Sequence, residues 1–583
     1  MFFSAAEIRR FQKELCSRFL AEPLAAFFAD LVFATAVLYS GKVMVGKRFL
    51  LSTQKTILSA SFVISGTYGI SAILSLLRSR LLAGRFGISE DLTVFYTADK
   101  IPSFIYSLIA VGTISTIFIP VFTDFYKKNK GEAWHTASAM INISILVFGV
   151  LGLAVFGFAR EIIEVLSVGK FTPEQITLGA NLMRLMVFAQ LVLVLSSFAT
   201  SLLQSFKYFI LPALAPVVYN LGMILGIVFL TPRYGIYGPA IGVSIGAALH
   251  LLIQVPLLFN LDFPFRFTLD FRDRGVREVF RLMPPRLLSS ALLQIPPIIN
   301  NSLAILVATS AAVVFKFADQ LQSFPVNLFG ASMALAALPT LSGERNNEDF
   351  KKTFLTTFHQ MMFFVMPAGV ILLVLRVPVV RLVFGASEFP WQATLDTALT
   401  LGFFSLSIFS QSGMYLLTRA FYALKDTKTP VKVSLITVVL TAALSYTFVA
   451  RLGLGVWSLA LSYSIGSIVD VILLLILLSR RTGGFYWKGI FVPFYKIGMS
   501  SALMGVSLYI PMKLLDFVIF DTSRVLPLLL LTFVAGIAGI ASYLFFTWVF
   551  KVEEIELFYR LVRKLRFRPA EQVVEAQSTH QTP

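Results

Sequence analysis

The stretch TADKIPSF (residues 97–104) places an acid and a base, Asp99 and Lys100, side by side within a long apolar run. Far downstream, the stretch FADQLQSF (residues 317–324) carries Ala-Asp at the same distance before Ser-Phe. Either both stretches are surface loops, or the chain contains two related halves with a polar feature built into each. The pattern of the remaining sequence decides between these two explanations.

The composition is far too apolar for a protein that folds in water. The 583 residues are 57% hydrophobic and only 14% charged, and the mean hydropathy is +0.81. A soluble chain carries about a quarter charged residues. The apolar residues lie in blocks of about 20, the length at which a helix crosses a ~30 Å hydrocarbon core. The sequence therefore predicts an all-α polytopic membrane protein.

The apolar blocks predict fourteen membrane spans. In chain order they lie near 58–77, 96–122, 137–158, 178–204, 209–231, 238–260, 287–309, 311–341, 355–375, 391–418, 430–450, 455–479, 491–512 and 525–549. Residues 18–40 are apolar too, but Glu22, Pro23 and Asp30 interrupt them. We interpret this region as an interfacial helix, or as sequence upstream of a later start, rather than as a further span.

The basic residues indicate how the chain is oriented. Lys and Arg collect in alternate loops, for example in KKNK (127–130), in residues 266–286 and in SRRTGGFYWK (479–488). Because basic loops stay on the cytoplasmic side, both termini are predicted to be cytoplasmic. The net charge of +18 is scattered over short loops, which argues against nucleic-acid binding. The single Cys16 excludes an internal disulfide and a cysteine-based metal cluster.

Further landmarks extend the repeat along the chain at a nearly constant offset. They pair GKFTPEQITL (169–178) with GASEFPWQATL (385–395), FKYFILP (206–212) with LKDTKTP (424–430), and RYG (233–235) with RLG (451–453). Six spans per copy is an even number, so the two copies share one orientation. The pattern predicts two parallel six-helix lobes plus two additional C-terminal transmembrane helices, with substrate bound between the lobes as in other transporters of parallel repeats.

These spans define the predicted domains. They are an N-terminal extension (1–56) that is interfacial or not in the mature protein, an N-lobe (57–260), a cytoplasmic amphipathic linker (261–286), a C-lobe (287–480), spans 13 and 14 (481–550) and a basic, then polar, cytoplasmic tail (551–583).

Ionisable groups within the spans are the candidate functional residues, because such groups are costly in lipid and usually face a protein interior or a watery cavity. The predicted substrate-binding residues are Arg78, Asp99, Lys100, Arg184, Lys316, Asp319 and Gln320. A cavity lined by these cations would suit an anionic substrate, above all a phosphate or pyrophosphate. The alternative is a local Asp99–Lys100 pair that neutralises itself between packed helices.

Three stretches resemble the MviN/MurJ family of lipid II flippases, within the multidrug/oligosaccharidyl-lipid/polysaccharide (MOP) exporter superfamily. They are LLRSRLLAGRFGISEDLTVFYTADKIPSF (76–104) with FIPVFTDFYKK (118–128), FADQLQSFPVNLFGASMALAALPTLS (317–342) and TRAFYALKDTKTPVKVS (418–434). The resemblance covers roughly residues 57–550. It implies alternating-access flipping of an undecaprenyl-pyrophosphate-linked peptidoglycan precursor across the bacterial cytoplasmic (inner) membrane, with spans 13 and 14 forming a groove for the lipid tail.

The family's functional residues carry over only in part. The resemblance places a span 1 arginine on Arg78, a span 2 lysine on Lys100 and a span 8 aspartate on Asp319. Three positions where family members carry arginines hold Ala72, Tyr106 and Gln320, and an acidic position holds Thr93, with Glu90 and Asp91 nearby. We hypothesise that Lys316, one turn before Gln320, replaces the missing positive charge. The departures leave open a substrate change or a loss of transport.

No pattern in the sequence predicts an enzyme. The four histidines (His135, His250, His359 and His580) are dispersed, and the Walker, GxSxG and HExxH motifs are absent from the sequence. We therefore expect no cofactor and no metal. Asp396 and Asp470 are interpreted as interfacial residues near span ends rather than proton carriers, and KDTK (425–428) as a turn rather than a phosphate cradle.

The sequence favours a lipid II flippase over three alternatives: a flippase for another lipid-linked oligosaccharide, an ion-coupled small-molecule exporter, and a non-transporting scaffold for cell-wall synthesis. The expected partners are a lipid-linked anionic glycan and membrane lipids, with a coupling ion or the membrane potential as driving force, and no nucleic acid.

Overall fold

The computed structural model describes residues 57–556, except for 260, 262, 345, 386–387 and 519–524. The predicted extension 1–56, the stretch 18–40 within it and the tail from 557 onward lie outside the described residues.

Helices account for the regular structure of the described residues. We keep the predicted span numbers for them. In the first half, the spans are Ile57–Phe86 (1), the successive segments Glu90–Ala98, Lys100–Tyr106, Ser107–Phe118 and Ile119–Lys128 (2), Lys130–Gly157 (3), Pro173–Ser205 (4), Ile210–Leu225 continued by Gly226–Leu230 and Thr231–Tyr234 (5), and Tyr237–Leu252 with Val255–Phe259 (6). A short helix, Ala159–Leu166, joins spans 3 and 4.

In the second half, the spans are Arg274–Val307 (7), Ala311–Pro325 continued by Val326–Ala331 and Ser332–Gly343 (8), Asn347–Val374 (9), Trp391–Ser405 with Ile408–Ala423 (10), Lys428–Tyr446 continued by Thr447–Arg451 (11), Trp457–Arg481 (12), Trp487–Val518 (13) and Val525–Val549 (14). A short helix, Arg376–Phe384, joins spans 9 and 10.

The described helices fit a membrane protein. Eleven of them are long and apolar enough to cross a membrane, or twelve when the bent pair of span 10, whose halves meet at 46°, is counted as one span. The predicted spans 1 and 2 correspond to the helix Ile57–Phe86 and the broken run Glu90–Lys128, which are not among these twelve, so their crossing of the membrane stays a prediction. The prediction of an all-α polytopic membrane protein is confirmed.

The two halves share unusual backbone geometry at the predicted landmarks. Lys207 and Lys425 both have a positive φ, of 63° and 57°, and Gly235 and Gly453 follow at 54° and 63°. A positive φ is uncommon for a residue other than glycine. The same length of chain separates Lys207 from Lys425 and Gly235 from Gly453, so the same chain turns recur at the spacing that the sequence motifs predict.

The described chain forms two compact units. The first contains the described residues up to Arg78, together with Ile101–Gly157 and Arg184–Leu287. The second contains Ser79–Lys100, Phe158–Met183 and the described residues from Leu288 onward. The second unit thus combines parts of spans 1, 2, 4 and 7 with spans 8–14.

Glycines bring spans 5 and 6 of the first unit into close contact. A Cβ added at Gly222 would lie 2.5 Å from the Cα of Gly246, and one at Gly226 would lie 2.4 Å from the Cα of Gly242. Small residues allow the backbones of membrane helices to approach, and packing then stabilises the pair.

The predicted linker 261–286 attaches to span 3 within the same unit. The side-chain amide of Asn142 donates to the carbonyls of Arg266 (2.9 Å) and Thr268 (3.1 Å). The hydroxyl of Thr136 donates to Asp273 (2.8 Å), whose carboxylate also accepts from the N–H of Val276 in the first turn of the next helix. This helix, Arg274–Val307, continues through span 7 without a break.

The second unit has a core of aromatic and aliphatic side chains from spans 9, 12, 13 and 14. Phe354, Phe363, Leu474 and Ile497 are fully buried in it, together with Tyr543. The hydroxyl of Tyr543 donates to the carbonyl of Phe363 at 2.7 Å, which satisfies the one polar group of a buried tyrosine. Spans 13 and 14 therefore pack within the second unit, against span 9.

The KDTK turn begins span 11, as the sequence predicts. The carboxylate of Asp426 accepts hydrogen bonds from the N–H groups of Lys428 and Thr429 and from the Thr429 hydroxyl. These N–H groups are occupied within the chain, so the turn caps a helix rather than forming a cradle for phosphate.

Candidate functional site

The charged residues of the doubled motif come together within the second unit. Lys316, Asp99 and Asp319 all lie close enough to Lys100 for their charges to act on it. Lys100, Lys316 and Asp319 are each half-buried. Two lysines and an aspartate from the two halves of the sequence thus form one cluster, which we call the lysine cluster (Lys100, Lys316, Asp319).

Local chain geometry explains how Lys100 reaches this cluster. The hydroxyl of Ser89 accepts from the N–H of Leu92 and caps the helix Glu90–Ala98. That helix ends at Asp99, and a new helix begins at Lys100. The adjacent acid and base of TADKIPSF are therefore the end of one helix and the start of the next.

Hydrogen bonds fix the neighbouring residues of spans 1 and 2 to spans 7 and 8. The amide of Asn301 donates to the hydroxyl of Thr97 at 3.0 Å, and both groups are buried. The hydroxyl of Ser79 donates to the side-chain carbonyl of Gln320 at 2.8 Å. Gln320 therefore has a hydrogen-bonding role at the position where the family resemblance implies an arginine.

Lys316 lies one helical turn before Gln320 on the same helix, Ala311–Pro325. Residues four apart on a helix are neighbours on one face, and the replacement of a family arginine by Lys316 stays a prediction. No described residue forms an ion pair within 4 Å of the ammonium of Lys100 or Lys316. Their positive charges are therefore not neutralised by direct contact within the described chain.

Arg78 occupies a separate position, in the first unit. Its guanidinium donates to the side-chain carbonyl of Asn220 at 3.0 Å and to the hydroxyl of Ser75 at 3.2 Å, and it also contacts the sulfur of Met223 at 3.3 Å. The amide of Asn220 in turn donates to the hydroxyl of Ser71. All of these contacts are neutral, so the charge of Arg78 is oriented but not cancelled by them.

Two other predicted positions of the first unit have local partners. The Nε–H of Arg184 donates to the carbonyl of Phe156 at 3.1 Å, and its guanidinium lies over the ring of Phe156. The hydroxyl of Tyr106 lies 3.1 Å from that of Ser197. These contacts join span 4 to spans 3 and 2, and substrate binding by Arg184 stays a prediction.

Thr93 occupies the position where the family resemblance implies an acidic residue. Thr93 is fully buried. Glu90 and Asp91 lie in the first turn of the same helix and are exposed. The carboxylate of Glu90 accepts from the side-chain amide of Gln175 at 2.5 Å, so Glu90 links spans 2 and 4.

The interpretation of Asp470 as an interfacial residue near a span end is wrong. Asp470 lies in the middle of the helix Trp457–Arg481 and is only 3% exposed. The predicted span 455–479 already contains residue 470 well inside its ends, but the burial of the side chain depends on contacts with neighbouring helices, which a hydropathy pattern does not show. The signal that sequence reasoning missed is the set of small polar residues at helical spacing on spans 10 and 12: Ser407, Ser410, Gln411, Ser464 and Ser467.

The lysine cluster has the properties of a binding site for an anion. Charge-assisted hydrogen bonds from lysine or arginine to a phosphate are worth about 1.5–3 kcal/mol each. The carboxylate of Asp319 accepts from the side-chain amide of Gln322 at 3.0 Å. The cluster can therefore present two ammonium groups to an anion while one acid moderates their mutual repulsion.

Known proteins resemble this chain over most of its length. The family described as "Lipid II flippase MurJ" matches residues 82–527, which is more than half of the chain. A "Probable lipid II flippase MurJ" of Buchnera aphidicola is 28% identical over 501 residues, covering 84% of this chain and 97% of that protein. The "Lipid II flippase MurJ" of Burkholderia cenocepacia is 28% identical over 468 residues, covering 77% and 89%.

Solved structures share the fold. The structure "Lipid II flippase MurJ, inward closed conformation" superposes with a TM-score of 0.72 at 24% identity and covers 85% of this chain and 100% of that one. An inward-facing multidrug-resistance MATE transporter of the MOP superfamily gives a TM-score of 0.61 at 17% identity, covering 71% and 94%.

The fold is that of a helical membrane transporter of the MOP type. Within that class, the chain belongs to the lipid II flippase MurJ family. It is a multi-pass protein of the inner membrane.

Proposed function

We infer that this protein flips lipid II, the undecaprenyl-pyrophosphate-linked peptidoglycan precursor, across the cytoplasmic membrane by alternating access. The match of the lipid II flippase family over residues 82–527 is the observation that carries this function. Relatives named lipid II flippases cover most of the chain. The alternative functions are not favoured by any of these relatives.

The charged residues supply the proposed recognition of the pyrophosphate. Lys100 and Lys316 in the second unit and Arg78 in the first each offer a positive charge: Lys100 lies near Asp99 and Asp319 as well as Lys316, and Arg78 is held by neutral groups. A pyrophosphate in a partly desolvated site needs such partners. We propose that Asp99, Asp319, Gln320 and Arg184 complete the substrate-binding set by orienting or balancing these cations.

Release limits how tightly the site can bind. A ligand moves a two-state equilibrium only by its differential affinity for the two states, so a flippase cannot hold its substrate much more tightly in one of them. Side chains such as Lys100, which is near an acid as well as a second base, suit moderate binding. Arg78 is held by neutral partners, which orient its charge without competing for it.

The proposal extends to partners and orientation. Both termini are cytoplasmic because the basic loops are expected on that side. The protein acts on its lipid-linked glycan as a transporter, without catalysing a reaction and without binding nucleic acid. Membrane lipids are its other partners, and spans 13 and 14 are proposed to guide the lipid tail.

Complementation tests the function directly. A bacterium depleted of its own lipid II flippase should grow when it expresses this chain, and should not grow with Lys100→Ala at equal membrane abundance. Lys488→Ala, at the exposed start of span 13, is the matched control and should support growth. Failure of the unaltered protein to restore growth in spite of normal insertion would count against the flippase and in favour of a scaffold.

A further inference from the structure

Asp470 is a buried acid, and the groups around it offer little to stabilise a negative charge. One carboxylate oxygen, Oδ2, accepts a hydrogen bond from the hydroxyl of Thr437 in span 11 at 2.8 Å. The other, Oδ1, is buried and has no hydrogen-bond partner in the described part of the chain. No described residue forms an ion pair with this carboxylate. An ionised carboxylate buried with one neutral donor is strongly disfavoured, and such groups become neutral instead.

A chain of hydrogen bonds connects the neighbourhood of Asp470 to the lysine cluster. It starts at Asp319, which accepts from the amide of Gln322, whose own carbonyl accepts from the amide of Gln411 at 2.9 Å. The same amide of Gln411 donates to the hydroxyl of Ser407 at 3.0 Å. The chain thus passes from span 8 into span 10.

The chain then passes into span 12, the helix of Asp470. The hydroxyl of Ser464 donates to that of Ser407 at 2.9 Å. The hydroxyl of Ser467 lies 3.0 Å from that of Ser410 and donates to the carbonyl of Ser464. Ser467 is three residues before Asp470, so the two side chains lie on one face of the helix.

We propose that Asp470 is a proton-binding site and that this chain of hydrogen bonds links its state of protonation to Asp319 in the lysine cluster. The inference rests on the proposed transport function, for which it supplies the coupling ion. It assigns that role to a residue outside the set predicted to bind substrate.

The protonated and the ionised forms of Asp470 require different hydrogen bonds from the surrounding residues. When Oδ1 carries a proton, the carboxyl is neutral and Ser467 remains bonded to span 10. When that O–H bond breaks and the proton leaves to water, the ionised Oδ1 requires a donor, and the nearest hydroxyl on its helix face is that of Ser467. Turning Ser467 toward Asp470 breaks its bonds to the carbonyl of Ser464 and the hydroxyl of Ser410, which frees those two groups at the end of the chain that leads to Asp319.

Other charged and titratable groups on the packed elements are few and lie mostly toward helix ends. They are Tyr463, Arg480 and Arg481 on span 12, Lys428, Lys432, Tyr446 and Arg451 on span 11, Asp396, Tyr415, Arg419 and Tyr422 on span 10, and Lys316 and Asp319 on span 8.

Infrared difference spectroscopy of the purified full-length protein tests the proton site without requiring transport. A pH step should reveal a protonated carboxyl band that disappears in Asp470→Asn and persists in Asp396→Asn, the matched control on span 10. Thr437→Val, which removes the hydrogen bond to Oδ2, should shift the frequency of this band. A band that survives in Asp470→Asn, or no titrating band at all, would overturn the proposal.

Flipping in proteoliposomes tests the coupling. With the membrane potential clamped at zero, a pH gradient should change the rate of lipid II flipping by the wild type at least threefold. Asp470→Asn should equilibrate lipid II without responding to the gradient, and Asp396→Asn should respond normally. Proton coupling would be refuted if the flipping rate of the wild type did not respond to a pH gradient, or if a sodium gradient acted through Asp470 instead. Either result would leave the proposed flippase function intact. If the wild type moves no lipid II while the Asp470 band titrates, the proposed function fails and the proton site survives.

Discussion

At the scale of single residues, Gln320 makes a hydrogen bond between helices, and Lys316 supplies a positive charge near it. Gln320 accepts a hydrogen bond from Ser79, which holds the end of span 1 to span 8. Lys316 supplies a positive charge one turn earlier on the same helix. A lysine is a point charge rather than a bidentate fork, so it recognises phosphate with looser geometry than an arginine would.

Removing this charge should impair transport. Lys316→Gln loses one charge-assisted hydrogen bond to the substrate, worth about 1.5–3 kcal/mol, so we expect the flipping rate at low substrate to fall about tenfold or more. Lys432→Gln, at the exposed beginning of span 11, is the matched control and should retain the parental rate. Equal rates for Lys316→Gln and the parent would show that the charge of Lys316 does not act on the substrate.

Asp426 provides a residue-scale test of stability. Asp426→Ala removes the cap of span 11 and should lower the free energy of unfolding by about 0.5–2 kcal/mol. Thr427→Ala should have little effect, because Thr427 occupies the N-cap position without making a side-chain cap hydrogen bond. Thermal unfolding of the purified variants measures both changes, and an equal loss in the two would contradict this account of the turn.

The same carboxylate predicts a pH dependence. Burial raises the pKa of Asp426, but hydrogen bonds from Thr429 and Lys428 together outweigh it and hold the pKa below its ordinary value. The stabilisation by Asp426 is therefore present above the unfolded-state pKa and is lost as the pH falls through the lower, folded-state pKa. The stability difference between the parent and Asp426→Ala should be constant near neutral pH and should shrink in acid. A difference that grows on acidification would reverse the sign of this argument.

At the scale of helices, spans 5 and 6 depend on glycine for their contact. Gly222→Ala would place a Cβ 2.5 Å from the Cα of Gly246, so the two backbones must separate. Overpacking of this kind costs about 1–3 kcal/mol. Gly149→Ala in span 3 is the matched control, because no atom lies within 4 Å of the added Cβ, and it should be neutral or stabilising. Thermal unfolding of both variants checks this, and a tolerant Gly222→Ala would show that the helices adjust at little cost.

The membrane helices are the feature of the structure that the sequence predicts best. Long apolar runs predicted spans such as Asn347–Val374 and Trp457–Arg481, because the mean hydropathy of a span is a property of the segment itself. The break at Asp99 and the bend of span 10 were not predicted, since each depends on contacts with neighbouring helices. The burial of Asp470 was missed for the same reason.

At the scale of the whole molecule, the doubled motif pointed to charges that meet in the structure. Lys100 comes from the first copy of the motif and lies close to Asp319 of the second copy and to Lys316 just before it, although the two copies are far apart in the chain. The hydrogen bonds that hold Arg78 to Asn220, and Gln320 to Ser79, could not be read from one sequence, because small polar residues in membrane helices have many possible partners. The family match indicates the class of substrate that we propose for these charged residues.

The most direct measurement of the central claim is lipid II flipping by the purified full-length protein in liposomes, with Lys100→Ala, Arg78→Ala and the control Lys488→Ala reconstituted at equal density. The parent and Lys488→Ala should expose lipid II on the opposite leaflet at similar rates. Lys100→Ala and Arg78→Ala should reduce this rate at least tenfold, because each removes a cation proposed to bind the pyrophosphate. Normal flipping by both variants would contradict the assignment of these cations to the substrate, and no flipping by the parent would contradict the function itself.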